Sequence, residues 1–261
     1  MAADTGGRVE ILREREYVAR VVLDRVAARN AINPEMAAAL EAAADALEGD
    51  ASVRVIVLSG AGDKAFSAGA DLATLAAGRD GELLRPRGGY LGLTAYPRRK
   101  PWIAAVRGVA AGGGLELALS CDLIVAGDSA RLGLPEVSRG TIAGACGVWR
   151  LPRQVPQAIA LEWLLTGELV PAPRAAAAGL VNQVVADAEV IEAALALAQR
   201  IAANAPLAVR ETLAIARAAQ RLPDADARAL TEAACERLRA WPDTREGAQA
   251  FLEKRAPRWA D

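Results

Sequence analysis

Runs of mostly apolar residues alternate with glycine-containing turns along the first two thirds of the chain. Runs of four to six residues bounded by turn residues predict buried strands, and they occupy residues 53–58, 102–106, 123–126 and 180–185. Two β-prone runs, residues 9–12 and 17–23, flank a charged stretch and predict a β-hairpin. Where a strand, a helix and a strand follow one another, we expect a right-handed parallel crossover.

Helical periodicity dominates the rest of the chain. Asn33 and Pro34 supply a capping side chain and a proline at the first helical position, and apolar residues then recur at helical spacing as far as Leu47. Beyond Pro156 the pattern predicts helices over residues 156–166, 173–178, 189–204, 207–221, 225–240 and 244–255. Residues 77–100, rich in glycine, proline and arginine, have no clear period, and we expect them to be partly mobile.

Composition is ordinary for an α/β protein. The 261 residues suit one large domain, alone or with an appendage; 53% are hydrophobic and only 4% aromatic. The formal net charge of −1 argues against nucleic-acid binding. No apolar run in the sequence approaches the length of a membrane span. Residues 1–7 lack the basic and apolar regions of a signal peptide, so we expect a frayed tail there and a cytoplasmic location.

The absence of histidine narrows the possible chemistry. It excludes Ser-His-Asp and Cys-His catalysis and most zinc sites. Three scattered cysteines, Cys121, Cys146 and Cys235, do not make a disulfide framework, and we interpret them as small buried hydrophobic residues. Acid–base catalysis at neutral pH then falls to carboxylates, tyrosine, lysine or cysteine, so the glutamates become the first candidates.

Two glutamates have unusual sequence surroundings. Glu116 follows the glycines Gly112 to Gly114 and lies between leucines in the first turn of a predicted helix. The glycines allow a tight turn and close backbone approach, and a helix start directs free N–H groups at whatever lies in front of it. A carboxylate among apolar residues is costly unless it is exposed, capping or functional. Glu136 follows a second apolar run, in the sequence Leu-Pro-Glu.

Four separated motifs show a family resemblance. They are residues 65–72 (AFSAGADL), 105–117 (AVRGVAAGGGLEL), 121–122 (CD) and 133–136 (GLPE). In this order and spacing the chain resembles the enoyl-CoA hydratase/isomerase (crotonase) superfamily, from about residue 18 to its C-terminus. A glycine-rich turn alone would be weak support for this family, whereas the combination is specific.

The resemblance implies an α/β crotonase fold, a spiral of β-β-α units followed by a C-terminal α-helical trimerisation region. We place the core with its acyl-CoA site in residues 1–195 and the helical oligomerisation region in residues 196–261. The predicted partners are an acyl-CoA substrate and further copies of the chain, in a homotrimer or a homohexamer.

The resemblance also implies a reaction and its residues. Ala70 and Gly113 occupy the positions whose N–H groups form the family's oxyanion hole, and Glu116 and Glu136 match the two hydratase glutamates. We therefore expect an enoyl-CoA hydratase that adds water reversibly and syn to a 2-enoyl-CoA thioester, with Glu116 activating water and Glu136 protonating carbon. No metal or redox cofactor is expected, because the CoA thioester is itself the substrate.

Two alternatives stay open. The first keeps the fold but changes the acyl-CoA reaction, to double-bond isomerisation or to dehydration of an unusual acyl group such as carnitinyl-CoA. Residues 147–152 (GVWRLP) resemble the carnitinyl-CoA dehydratases at this point, and Ala143 and Cys146 replace a proline and a glycine common in hydratases. The second alternative is a non-catalytic acyl-CoA-binding or RNA-associated scaffold, and the presence of both glutamates counts against it.

Further positions match family residues that surround CoA or the water site. Lys64 and Arg25 are also candidates for contacts with the phosphates. The residues that match by position are Ala28, Arg29, Ala68, Ala70, Leu72, Gly113, Gly144, Phe251 and Lys254. In relatives, the counterparts of Phe251 and Lys254 reach the CoA of a neighbouring subunit. We interpret Cys146 as a pocket-lining hydrophobic residue rather than a reactive thiol.

Overall fold

The computed structural model describes residues 6–260. The tail expected at residues 1–7 therefore lies outside the described residues, except for Gly6 and Gly7. The strands are β1 (Arg8–Arg15), β2 (Tyr17–Asp24), β3 (Val53–Gly60), β4 (Ala65–Ser67), β5 (Leu84–Arg85), β6 (Gly89–Tyr90), β7 (Trp102–Val106), β8 (Val109–Ala111), β9 (Leu123–Gly127), β10 (Arg131–Gly133), β11 (Val170–Pro171) and β12 (Gln183–Val185). The helices are α1 (Pro34–Gly49), α2 (Leu72–Ala76), α3 (Gly113–Ser120), α4 (Gly147–Gln154), α5 (Gln157–Thr166), α6 (Ala172–Ala177), α7 (Val190–Ala202), α8 (Pro206–Ala219), α9 (Asp224–Arg239) and α10 (Pro242–Leu252).

Two sheets form the frame of the molecule. The larger has the strand order β1-β2-β3-β7-β9-β12 and the smaller the order β11-β10-β8-β4. The predicted hairpin is the antiparallel pair β1–β2, while β2, β3, β7, β9 and β12 pair in parallel. Such parallel pairs need crossover connections, which the intervening segments supply.

The chain builds these sheets as a spiral. Three times, a strand of the larger sheet is followed after a short link by a strand of the smaller one, in the pairs β3–β4, β7–β8 and β9–β10. Helical turns follow each pair: α2, α3 and a short 3-10 helix over Pro135–Arg139. This confirms the predicted β-β-α units. It also brings the starts of those helical turns together at the carboxyl ends of β4, β8 and β10, which are parallel neighbours in the smaller sheet.

The two faces of the larger sheet are buried against different helices. Along β3, Val55 and Val57 belong to one apolar cluster, and Ile56 and Leu58 belong to another. Side chains alternate between the faces of a strand, so a strand buried on both faces reads as a continuous apolar run. Helix α1 contributes to the second cluster, and α7 contributes to the first.

The predicted start of α1 is confirmed. Asn33 caps the helix, because its side chain accepts a hydrogen bond of 2.9 Å from the amide of Met36, and Pro34 is the first helical residue. The proposed boundary at residue 195 falls within α7, whose residues Leu195 and Ala198 both pack on the sheet. The division of the chain into two regions stays a prediction.

Some elements were not predicted. Strands β8 and β10 have three residues each, and α4 contains Pro152 within its eight residues. Residues 77–100, where no regular element was predicted, contain the hairpin β5–β6 and the buried side chains of Leu91 and Leu93. Among the helices of residues 6–260, none combines the length and apolar character needed to cross a membrane.

Candidate active site

The start of α3 meets the loop after β4 because β4 and β8 are neighbouring parallel strands. A Cβ placed on Gly113 would lie 3.2 Å from the amide nitrogen of Ala70, and one on Gly69 would lie 2.7 Å from the amide nitrogen of Gly113. The close approach therefore requires glycine at Gly69, which also has a φ of +89°, and leaves little room for a side chain at Gly113. The structure thus brings together the two amides assigned to the oxyanion hole.

Both amides lack an acceptor among the residues that the structure describes. Ile32 bonds to the residues on either side of Ala70, donating to the carbonyl of Gly69 at 2.7 Å and accepting from the amide of Asp71 at 2.9 Å. Gly113 is the first residue of α3, and a first helical residue has no intrahelical acceptor for its amide. Within residues 6–260, neither N–H donates a hydrogen bond to the protein, so both can serve a ligand.

Glu116 lies one turn into α3 and is only 3% exposed. Its Oε1 accepts hydrogen bonds of 2.8 Å from the amides of both Cys146 and Gly147. These amides open α4, which has no side-chain cap of its own at Cys146. Glu116 therefore caps a neighbouring helix, whose positive N-terminal end favours a carboxylate.

Glu136 belongs to the 3-10 helix that follows β10. Its Oε1 would lie 2.8 Å from a Cβ on Gly112, the residue before Gly113, whose amide is a candidate for the oxyanion hole. Its Oε2 is buried and has no hydrogen-bond partner within the described chain. Burial raises the pKa of Glu136, and the nearby charge of Glu116 raises it further.

The two carboxyl groups therefore have complementary surroundings. Glu116 accepts two amide hydrogen bonds, whereas the protonated form of Glu136 is favoured by burial and by repulsion from Glu116. Carboxyl groups in such different environments suit opposite acid and base roles. The sequence identified both glutamates but not the amides of Cys146 and Gly147 that hold Glu116. The signal that could have found them is a helix start at Gly147 without a capping side chain.

The surroundings of Cys146 agree with its interpretation as a buried hydrophobic residue. The side chain is fully buried, and burial raises the pKa of its thiol to about 11. At neutral pH the thiol is therefore protonated and a weak nucleophile. Gly144 has open space beside it, since a Cβ placed there would lie no closer than 3.7 Å to another residue's atoms.

A backbone hydrogen bond connects two of the segments assigned to CoA binding, one at Ala28 and Arg29 and the other at Ala68. The amide of Ala68 donates to the carbonyl of Arg29 at 2.9 Å, which joins the loop at Ala28 and Arg29 to the strand that leads to Ala70. Leu72, the first residue of α2, is 65% exposed, and Lys64 is exposed. The hydrogen bond therefore places Arg29 next to Ala68, two residues before the amide of Ala70.

Arg25 has a different environment from the one expected of a phosphate contact. Its side chain is buried and forms an ion pair of 2.8 Å with Asp71. Of the two cations considered for phosphate, Lys64 is the exposed one.

The C-terminal candidates lie at the end of α10, and their role toward a second subunit stays a prediction. Phe251 is 83% exposed, and Lys254 follows α10 with a φ of +55°. Within residues 6–260, no three histidine, cysteine, aspartate or glutamate residues cluster closely enough to ligate a metal ion.

Known proteins are similar in sequence to this chain over most of its length. A model of the enoyl-CoA hydratase/isomerase family matches residues 13–261. The (E)-benzylidenesuccinyl-CoA hydratase of Thauera aromatica is 38% identical over 250 residues, which cover 92% of this chain and 94% of the relative. The carnitinyl-CoA dehydratase of Salmonella typhi is 39% identical over 249 residues, which cover 93% and 94% respectively.

A solved structure extends the likeness to the fold. An enoyl-CoA hydratase from Mycobacterium tuberculosis H37Rv has a TM-score of 0.92 and 41% identity to this chain, covering 97% of it and 98% of its own chain. This agreement confirms the crotonase fold and shows an enzyme of the enoyl-CoA hydratase type, a lyase. The chain therefore belongs to the enoyl-CoA hydratase/isomerase family.

Proposed function

We propose that the protein catalyses reversible syn addition of water to a 2-enoyl-CoA thioester. One observation carries this proposal: the amides of Ala70 and Gly113, which have no acceptor within residues 6–260, lie beside the buried Glu116 and the half-buried Glu136. Free amides suit a thioester oxygen that gains negative charge, because fixed dipoles stabilise that charge only as it develops. Two carboxyl groups supply the base and the acid that hydration needs.

The proposed steps follow from these groups. Glu116 removes a proton from water while the water oxygen bonds to C3, and the π electrons of the double bond move through C2 to the thioester oxygen. The amides of Ala70 and Gly113 hold the resulting enolate. Protonated Glu136 then delivers its proton to C2 as the thioester carbonyl re-forms. Exchange of protons with solvent returns both carboxyl groups to their starting states.

Replacement of each glutamate tests the acid–base roles. Wild-type protein is expected to bleach the ultraviolet absorbance of at least one 2-enoyl-CoA, starting with crotonyl-CoA. Glu116→Gln and Glu136→Gln are each expected to lower kcat by about two orders of magnitude or more, because amides neither accept nor donate the required protons. Wild-type protein that is stabilised by CoA esters yet converts none of them would support the scaffold alternative. An isomerised product would instead support the isomerase alternative.

Replacement of Gly113 tests the oxyanion hole. In Gly113→Ala the new methyl group would lie 3.2 Å from the amide of Ala70 and 2.5 Å from a methyl carbon of Leu91, so it would crowd the space before both amides. We expect kcat to fall by about 10²-fold or more, the scale of losing one oxyanion donor. The matched control is Gly49→Ala at the exposed end of α1, where an added Cβ meets nothing within 4 Å. Equal activity of the two variants would contradict the assigned hole.

Dehydration of a substituted 3-hydroxyacyl-CoA is the second candidate, since the same groups run the reaction in reverse. It is favoured by the likeness to a carnitinyl-CoA dehydratase, at 39% identity. A panel of crotonyl-CoA, carnitinyl-CoA and (E)-benzylidenesuccinyl-CoA tests the choice by comparing kcat/KM in both directions. Preference for carnitinyl-CoA by an order of magnitude would make dehydration the main activity.

The site is proposed to bind CoA with Ala28, Arg29, Lys64, Ala68 and Leu72 of its own chain. Phe251 and Lys254 are proposed to contact the CoA of a neighbouring copy in a homotrimer or homohexamer. The exposure of Phe251 supports this role, because a large apolar ring in water gains free energy when a second copy covers it. A cytoplasmic location is part of the same proposal.

A further inference from the structure

A cavity of about 300 Å³ lies at the opposite end of α3 from the oxyanion-hole amides. Its walls come from the C-terminal end of α3, from α4, from the second half of α8 and from Arg98 in the segment before β7. This volume is at the lower end of the range of ligand pockets, so the cavity has room for a small molecule. None of the residues assigned to the acyl-CoA site lines it.

The lining of this cavity is strongly positive. It contains five arginines, Arg98, Arg150, Arg153, Arg217 and Arg221, and among the described lining residues a single carboxylate, Asp122. Arg217 binds that carboxylate in a bidentate ion pair, in which its Nε donates to Oδ1 at 2.8 Å and its Nη2 donates to Oδ2 at 2.7 Å. The remaining four guanidinium groups therefore face the cavity without an equal negative charge.

Arg98 has guanidinium nitrogens that are shielded from water. Its Nε and Nη1 are buried and have no hydrogen-bond partner within the described chain. Burial lowers the pKa of Arg98, and the nearby charge of Asp122 offsets this only in part. A buried guanidinium without hydrogen bonds is costly, and an anion in the cavity would supply the missing acceptors.

An indole ring holds three of the other arginines in place. The guanidinium carbons of Arg150, Arg153 and Arg221 lie 4.8, 5.2 and 5.7 Å from the ring centroid of Trp149. Arg150 is fixed further, since it donates to the carbonyl of Thr94 at 2.8 Å and to the hydroxyl of Ser120. Cation–π contacts hold these groups close despite their like charge, so the donors are positioned before any ligand arrives.

We propose that this cavity binds a small oxyanion, a carboxylate or a phosphate, with Arg98 and Arg221 among its ligands. Guanidinium groups match both chemistries, because their planar array of donors pairs with two oxygens at once. The site is separate from the acyl-CoA site and does not depend on the proposed reaction.

Calorimetric titration tests this proposal with two probes, inorganic phosphate and malonate, at an ionic strength held constant with sodium chloride. We expect saturable binding of at least one probe and a matching rise in the melting temperature. Arg98→Met and Arg221→Gln should each weaken binding by about tenfold or more. Arg98→Met should also raise the melting temperature in anion-free buffer, because it removes buried donors that lack acceptors.

Two variants serve as controls. Arg228→Gln removes an exposed arginine of α9 outside the cavity, and Lys64→Gln removes the cation proposed for the CoA phosphates. Both are expected to bind the probe like the wild type. The proposal is overturned if neither probe binds saturably, if Lys64→Gln abolishes binding, or if Arg98→Met and Arg221→Gln bind as tightly as the wild type. Because Arg221 is exposed, its variant keeps the test valid even if Arg98→Met does not fold.

Discussion

At the scale of single residues, two glutamates acquire different properties from their neighbours. Glu116 is held by two backbone amides, and Glu136 keeps a buried oxygen without a hydrogen-bond partner in the described chain. Their charges repel, which adds to the effect of burial on the pKa of Glu136. The sequence indicated which glutamates are the catalytic candidates. Their environments arise from amides 30 and 31 positions along the chain from Glu116, and, for Glu136, from burial and the charge of Glu116.

The raised pKa of Glu136 predicts a pH-dependent stability. A carboxyl group whose pKa is higher in the folded than in the unfolded protein stabilises the fold below the unfolded pKa, and this contribution is lost as pH rises through the folded pKa. Glu136→Gln should therefore melt at a higher temperature than the wild type at pH 8, and the difference should shrink on acidification toward pH 4.5. Thermal unfolding across this range measures it, with the exposed Glu232→Gln as control. A difference that grows on acidification would show the opposite sign of shift.

At the scale of elements, α3 and α4 are joined through a side chain rather than through packing alone. The carboxylate of Glu116, on α3, replaces the missing side-chain cap of α4. The same helix α4 carries Trp149 and Arg150, which line the arginine-rich cavity. One short helix thus contacts both the candidate catalytic base and the proposed anion site.

This arrangement predicts that the two substitutions of Glu116 differ in stability. Glu116→Ala leaves two buried amides without an acceptor, and it should lower the free energy of unfolding by about 1–3 kcal/mol. Glu116→Gln retains an acceptor oxygen, so it should lose less stability while losing activity equally. Urea unfolding separates the two effects, with Glu232→Ala on the exposed surface of α9 as the matched control. Equal stability of Glu116→Ala and Glu116→Gln would argue against the capping role.

At the scale of the whole molecule, the spiral determines which loops meet. Strand order in the smaller sheet places β4 beside β8 and β8 beside β10, so the segments that follow them carry Ala70, Gly113 and Glu136 to one edge. At the C-terminus, α10 presents Phe251 and Leu252, which are 83% and 80% exposed. Such a pair of adjacent exposed apolar side chains is typical of an interface.

Assembly through this surface is a further prediction. Phe251→Ser combined with Leu252→Ser should shift the protein toward smaller species and weaken CoA binding, because the neighbouring copy loses its apolar contact. Light scattering after size-exclusion chromatography measures the mass, and Leu165→Ser on α5, which is 73% exposed, is the control. A wild-type protein that elutes as a monomer at all concentrations would contradict the prediction.

The sequence predicted much of this structure because its signals are local. Apolar runs predicted β3, β7 and β9, and the Asn33–Pro34 pair predicted the start of α1. Helical periodicity predicted the C-terminal helices to within a few residues of their observed bounds. The strands β8 and β10 were not predicted, because three residues are too few to show the apolar run or alternation that indicates a strand. The family motifs identified the catalytic candidates. The amides of Ala70 and Gly113 lie close together because Gly69 and Gly113 have no side chain in the contact between their segments.

The sequence by itself determined the fold family and the order of the main elements, and it identified two glutamates as the catalytic candidates. Only the tertiary structure decided that Glu116 caps α4, that one oxygen of Glu136 lacks a partner in the described chain, and that Arg25 pairs with Asp71. It also gathered arginines from three segments around one cavity. The physical reason is the range of the interactions: propensity and periodicity act between near neighbours, whereas hydrogen bonds, burial and charge depend on which distant segments the sheets bring together.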